Sequence, residues 1–254
     1  MKKVLCFSIL LSCICCMFGQ TRVIAHRGFW KTAGSAQNSI TALLKADSIG
    51  CYGSEFDVWL TKDDKLVVNH DSEIQSHKIE ESTLKVLTNL KLSNGENVPS
   101  LVRFLSIAKK NTRLKLILEL KEHSTPKREE VAIRKIIRLV GKMRLEDRVE
   151  YITFSSYALK ELIRTVPEGI PVYYLRGELP PQELKNIGSA GPDYNINVFR
   201  RHTDWIDECH DFGLKANVWT VDKVEDMEEF IGKADFITTD DPVKAMEISK
   251  ISLR

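Results

Sequence analysis

The 254-residue sequence predicts an α/β fold, a (β/α)8 barrel with a small insertion after the second strand. Three observations carry that reading. Short apolar, β-branched runs recur eight times, amphipathic helical stretches separate them, and the length and 43% hydrophobic content suit one large core. An open doubly wound sheet is the competing architecture, but no Gly-rich dinucleotide loop or Walker loop follows the first strand.

The strands are expected at 23–27, 54–60, 114–120, 149–154, 172–175, 194–198, 216–221 and 236–239. The helices between them are expected at 39–49, 101–110, 126–143, 157–165, 181–187, 203–212, 224–231 and from Pro242 onward. Pro126, Pro181 and Pro242 fall near helix starts, where a missing backbone N–H costs little. A second apolar run at 65–71 and a polar stretch to Pro99 break the rhythm. They read as an insertion of about 72–99 in the second βα connection, with a short helix within 82–90, on the face where barrel enzymes build their sites.

Residues 1–20 read as a secretory signal: Lys2 and Lys3 precede an apolar run over 4–18, with cleavage expected near Gly19 or Gln20. The run is shorter than the roughly twenty residues of a membrane-spanning helix, so no permanent span is expected. The mature domain is then 21–254, exported to the periplasm or secreted, with a lipid anchor at Cys13 as a lesser alternative. Cys6, Cys13, Cys15 and Cys16 leave with the signal, and Cys51 and Cys209 are expected as two packed thiols. A net charge of +2, mixed along the chain, gives no basic stripe for nucleic acid.

Chemistry-bearing residues collect at strand ends. Glu55 and Asp57 are two apart on a strand and share a face, while Phe56 and Val58 supply the apolar face that packs on helices. Glu119 adds a third carboxylate from the neighbouring strand. Three oxygen donors without cysteine or clustered histidine suit Mg2+ or Ca2+ better than Zn2+. The alternative, outward-facing acids paired with lysines, is disfavoured by that apolar face.

His26 and His70 can reach the same mouth and serve as general acid and base. Arg27 and Lys121 can bind phosphate. His123 is a further candidate for substrate contact, whereas His77, His202 and His210 lack the acidic company of His26 and His70, and His202 and His210, on or near a helix, are read as surface residues. Trp219 and Phe154 are each either a substrate wall or core.

These residues occur in an ordered series: His26-Arg27-Gly28, Asn38-Ser39, Glu55-Phe56-Asp57, Thr61, Val68-Asn69-His70-Asp71, Glu119-Leu120-Lys121, Trp219-Thr220-Val221 and Thr238-Thr239-Asp240. In this the chain resembles the glycerophosphodiester phosphodiesterase family across nearly all of the mature sequence. The resemblance implies the barrel with its insertion, a divalent metal on Glu55, Asp57 and Glu119, and acid/base roles for His26 and His70. It implies substrate contacts from Arg27, Lys121, Trp219 and Asn38, and hydrolysis of a glycerophosphodiester to glycerol 3-phosphate and an alcohol. One departure is plain: Gln37-Asn38-Ser39 stands where the family commonly has Glu-Asn-Thr, which removes a negative charge near the metal. Two other functions compete. One is a lysophospholipase D or sphingomyelinase D activity, for which Phe29-Trp30 could form an apolar approach; the other is a non-catalytic phosphodiester-binding protein, motivated by Gln37.

Overall fold

The computed structural model describes residues 20–251, so the expected signal segment and the expected lipid site at Cys13 lie outside the described residues. Among the described residues, no helix is long and apolar enough to cross a membrane.

Eight parallel strands close into a barrel: β1 (Arg22–Ala25), β2 (Gly53–Leu60), β6 (Lys115–Leu120), β7 (Val149–Thr153), β8 (Val172–Tyr174), β9 (Gly191–Asn195), β10 (Asn217–Trp219) and β11 (Phe236–Thr239). Closure comes from β1, which pairs with both β2 and β11. The outer ring holds α1 (Ile40–Ser48), α3 (Leu101–Asn111), α4 (Pro126–Met143), α5 (Ser156–Thr165), α6 (Pro181–Ile187), α7 (Ile196–Arg201), α8 (Trp205–Asp211), α9 (Val224–Phe230) and α10 (Pro242–Ile251).

Two apolar layers explain the alternation along each strand. Inside the barrel, Ile24, Ile117, Ile152, Tyr173, Leu175 and Phe236 form one cluster. Outside it, residues such as Phe56 pack against the helices, with the Phe56 and Phe104 rings 4.5 Å apart. Every residue of β2 is consequently buried, including the acids on its inner face. The helices begin where the sequence supplies caps: the Ser39, Ser100, Thr125 and Ser155 hydroxyls each accept a backbone N–H of the first turn.

The insertion has its own small core. After β2, β3 (Leu66–Val68) turns back antiparallel on it, followed by a hairpin of β4 (Glu73–Ile74) and β5 (His77–Lys78) and the short helix α2 (Leu84–Leu87). Trp59, Val67, Ile74, Ile79, Leu87 and Val98 pack together beneath it. Its Glu96 accepts the Ile40 and Thr41 amides, tying the insertion to the start of α1.

The expected sixth strand is displaced. The strand runs Gly191–Asn195 rather than 194–198, and Ile196, Val198 and Phe199 belong to α7, an unexpected helix capped by Asn195. Gly191 and Pro192 look like breakers, yet a Cβ at Gly191 would sit 2.1 Å from the Lys215 carbonyl oxygen, so close strand packing demands glycine there. The expected helix at 203–212 is the shorter α8. Cys51 and Cys209 are free, buried thiols, as expected from their separation.

Candidate active site

At the C-terminal mouth, Glu55 and Asp57 rise from β2 and Glu119 from β6, with Asp57 paired in register to Glu119. One oxygen from each lies within 4.8 Å of the others, and all three side chains are buried. Three carboxylates so close repel one another, and the surrounding donors decide which are ionised. Asp57 is held below the usual carboxylate range: burial pushes it up, but Lys121, His70, the Asn38 amide and Arg27 outweigh that. Burial and the neighbouring acids push Glu55 well up, and push Glu119 up to about 7 despite Lys121.

Lys121 supplies the positive charge among them. Its Nζ lies 2.7 Å from Glu119 Oε1 and 3.2 Å from Asp57 Oδ1. Asn38 grips Asp57 twice, donating from Nδ2 to Oδ2 at 2.8 Å while the Asp57 amide donates to Asn38 Oδ1 at 3.2 Å. The Arg27 amide donates to Glu55 Oε2 at 2.7 Å, and Glu55 Oε1 is buried with no hydrogen-bond partner. A buried oxygen so left, within a triangle of hard oxygen donors, fits a divalent cation such as Mg2+ or Ca2+.

The loop after β1 is shaped for this work. Arg27 and Gly28 both take positive φ, +55° and +77°. A Cβ at Gly28 would lie 2.7 Å from the Ala42 backbone carbon, so only glycine lets the loop seat against α1. Arg27 Nη1 donates to Gln37 Oε1 at 2.8 Å, while its buried Nε has no hydrogen-bond partner. Gln37 therefore meets the cluster through Arg27, whose Nε lies 3.9 Å from Asp57 Oδ2.

The two histidines share a design. His26 Nδ1 is 2.8 Å from Asp240 Oδ1 and His70 Nδ1 is 2.7 Å from Asp71 Oδ1, which orients each ring and turns Nε2 toward the mouth. Trp30 Nε1 also donates to Asp240, and Lys31 Nζ lies 3.2 Å from it. Burial pushes the Asp240 carboxyl up, but these partners, His26 foremost, bring it down to about 2. His70 is fixed by the insertion: the Asn69 amide donates to the Asp57 carbonyl, and Trp59 Nε1 donates to the His70 carbonyl. Burial lowers the His70 pKa, with Lys121 and Arg27 adding to the effect and Asp57 opposing it.

Between these groups lies a cavity of about 210 Å³. Its polar rim includes His26, Arg27, Glu55, His70 and Glu119, and its inner wall Ile152, Phe154, Leu175 and Trp219. Phe154 and Trp219 thus stand in the wall, their rings edge to face at 5.7 Å. His123 does not reach this space. Its ring is buried, accepting the Leu60 amide at Nε2 and donating from Nδ1 to the Lys121 carbonyl, so it holds the Lys121 loop. Phe29 packs on the outer core instead of flanking the mouth. His210 is half-buried and paired with Asp235 at 3.1 Å, a correction to its reading as a surface residue. Asp240 enters the sequence reading only within the Thr238-Thr239-Asp240 run, with no role, and Asp193 does not enter it; the position of Asp240 just after the last strand is the signal that marks it.

A family model for the glycerophosphoryl diester phosphodiesterase family matches residues 26–244. The chain belongs to that family. A glycerophosphodiester phosphodiesterase of Caldanaerobacter subterraneus is 30% identical over 240 residues, covering 88% of this chain and 95% of the relative. The crystal structure of a glycerophosphodiester phosphodiesterase from Parabacteroides distasonis superposes with a TM-score of 0.90 at 49% identity, covering 92% of this chain and 99% of that one. An Oleispira antarctica phosphodiesterase, solved with the product sn-glycerol-3-phosphate, has a TM-score of 0.76 at 22% identity, covers 91% of this chain and 97% of that one, and shares the fold.

Proposed function

We propose that this glycerophosphodiester phosphodiesterase cleaves its substrate to glycerol 3-phosphate and an alcohol at a divalent-metal site, with His26 and His70 moving the protons. The observation that carries the reading is the buried triangle of Glu55, Asp57 and Glu119 beside two histidines that are each oriented by a carboxylate. Those three acids would hold Mg2+ or Ca2+. When bound, the ion supplies positive charge against a non-bridging phosphate oxygen.

The chain's own residues account for the rest. Arg27 offers its guanidinium to the phosphate, and Lys121 neutralises charge that builds up beside Glu119. One histidine removes the proton of the nucleophile and the other protonates the departing alkoxide. Asn38 keeps Asp57 in place through its two hydrogen bonds. The apolar signal-like segment before the domain supports export to the periplasm or the medium as the setting.

The test is turnover of glycerophosphocholine by His26→Ala and His70→Ala. Each is expected to lower kcat by roughly 10²–10⁴-fold. Near-normal turnover in either variant removes that histidine from the mechanism.

A further inference from the structure

Asp193 is a buried carboxyl that the chemistry above leaves unused. It sits on the inner face of β9, is 2% exposed, and lines the same cavity as His26 and His70. Its Oδ1 is buried with no hydrogen-bond partner. Its strand neighbour Asn217 donates to the Thr238 hydroxyl at 2.9 Å and also favours the ionised Asp193 carboxyl, leaving Oδ1 as the oxygen turned to the cavity without a partner. The wall around Asp193 is mainly apolar, Ile152, Phe154, Leu175 and Trp219, with Thr220 and Thr238 as its other polar side chains.

We infer that Asp193 recognises a hydroxyl on the glycerol arm of the substrate, seating that arm in the inner cavity beside Phe154 and Trp219. The inference rests on the phosphodiesterase reading of the mouth. A phosphodiester has two arms, and two spaces meet at His70. The outer one is bordered by polar groups, Gln37, Asn38, Asn69, Asp71 and Ser93, along with Trp30. It suits the arm that varies between substrates. The inner one is bounded by apolar side chains and offers Asp193, a small number of polar groups in an apolar wall being the usual basis of orientation in such pockets. It suits the arm that all glycerophosphodiesters share.

The backbone supports the same role. The Asp193 carbonyl accepts the Trp219 indole N–H at 2.8 Å, so one residue sets the aromatic wall and presents the carboxyl beside it. Burial pushes that carboxyl up to about 8. At pH 7 it is mostly neutral and offers both an O–H donor and a carbonyl acceptor, the complement of an alcohol. A quaternary ammonium has no hydrogen-bond donor with which to satisfy the idle oxygen.

The experiment compares kcat/KM on glycerophosphoglycerol and on bis(p-nitrophenyl) phosphate, which has no hydroxyl, for the wild-type chain, Asp193→Ala and Asp193→Asn. Asp193→Ala is expected to lose roughly 10- to 100-fold on the glycerol substrate and little on the aryl diester, and Asp193→Asn to recover most of the loss. Equal losses on both substrates, or no loss on the glycerol one, overturn the inference. A second arm needs no variant: calorimetric binding of glycerol 3-phosphate and of n-propyl phosphate to the wild-type chain. Glycerol 3-phosphate is expected to bind at least about tenfold tighter, a difference of about 1.4 kcal/mol, and equal affinities overturn the inference. Failure of the wild-type chain to hydrolyse either diester counts against the phosphodiesterase reading, while the binding comparison still decides the role of Asp193.

Discussion

His26 Nδ1 and Asp240 Oδ1 meet at 2.8 Å although 214 residues separate them, because His26 follows the first barrel strand and Asp240 the last. Barrel closure itself builds this pair: the His26 amide donates to the Thr239 carbonyl, continuing the β1–β11 ladder up to the site. A carboxylate so placed fixes the imidazole tautomer and leaves Nε2 for the reaction. Asp240→Asn is therefore expected to lower kcat by roughly 10- to 100-fold with little change in KM, a smaller loss than His26→Ala. Steady-state kinetics on glycerophosphocholine checks this, and a purely KM effect would place Asp240 in substrate binding instead.

Metal affinity is expected to rise with pH. Glu119 is pushed up to about 7 and Glu55 higher than its usual range, so binding a cation must expel protons from the cluster. Calorimetric titration with Mg2+ or Ca2+ in two buffers of different ionisation enthalpy is expected to show proton release at pH 6 and less of it at pH 8. Proton release that does not fall between these pH values would contradict the protonated state of Glu119.

Asp193 carries a stability consequence. Burial pushes its carboxyl up to about 8 in the folded chain, with Asn217 opposing, against about 3.9 for an unfolded aspartate. Between these values the folded state binds the extra proton, so this residue makes the protein less stable as pH rises across that window. Asp193→Asn removes the effect, and its melting midpoint is expected to gain on that of the wild-type chain from pH 5 to pH 8. A constant difference across that range would mean that the carboxyl is ionised throughout.

Gly28→Ala tests the loop that carries Arg27. With φ at +77° and Ala42 2.7 Å from the added Cβ, the substitution is expected to cost about 1–3 kcal/mol and to weaken substrate binding, because the Arg27 amide holds Glu55. Chemical denaturation beside KM measurements decides it. Unchanged stability would show that the loop can move off α1.

Much of this arrangement was legible in the chain. The two-residue alternation of side chains along a strand put Glu55 and Asp57 on one face, and Glu119 joined them because β2 and β6 are neighbours in the barrel. The limits were equally physical. Gly191-Pro192 mimicked a turn and hid the start of β9, since only the approach of Lys215 reveals why glycine belongs there. His123 looked like the other histidines until its two ring nitrogens were found engaged by backbone groups. Gln37 was expected to act on the metal's field directly, whereas its contact is with Arg27. Asp193 sits mid-strand beside a tyrosine, and nothing local marks a lone acid as facing a cavity; the cavity exists only once eight strands close.

Everything proposed for the mouth depends on Glu55, Asp57 and Glu119 holding a catalytic divalent cation. The most direct measurement is glycerol 3-phosphate release from glycerophosphocholine by the purified chain with Mg2+, with Ca2+ and with chelator, beside Glu55→Gln. The expected result is turnover that chelator abolishes, that a divalent ion restores, and that Glu55→Gln lowers by at least about 100-fold at saturating substrate. Turnover undiminished by chelator, or retained in Glu55→Gln, would contradict it.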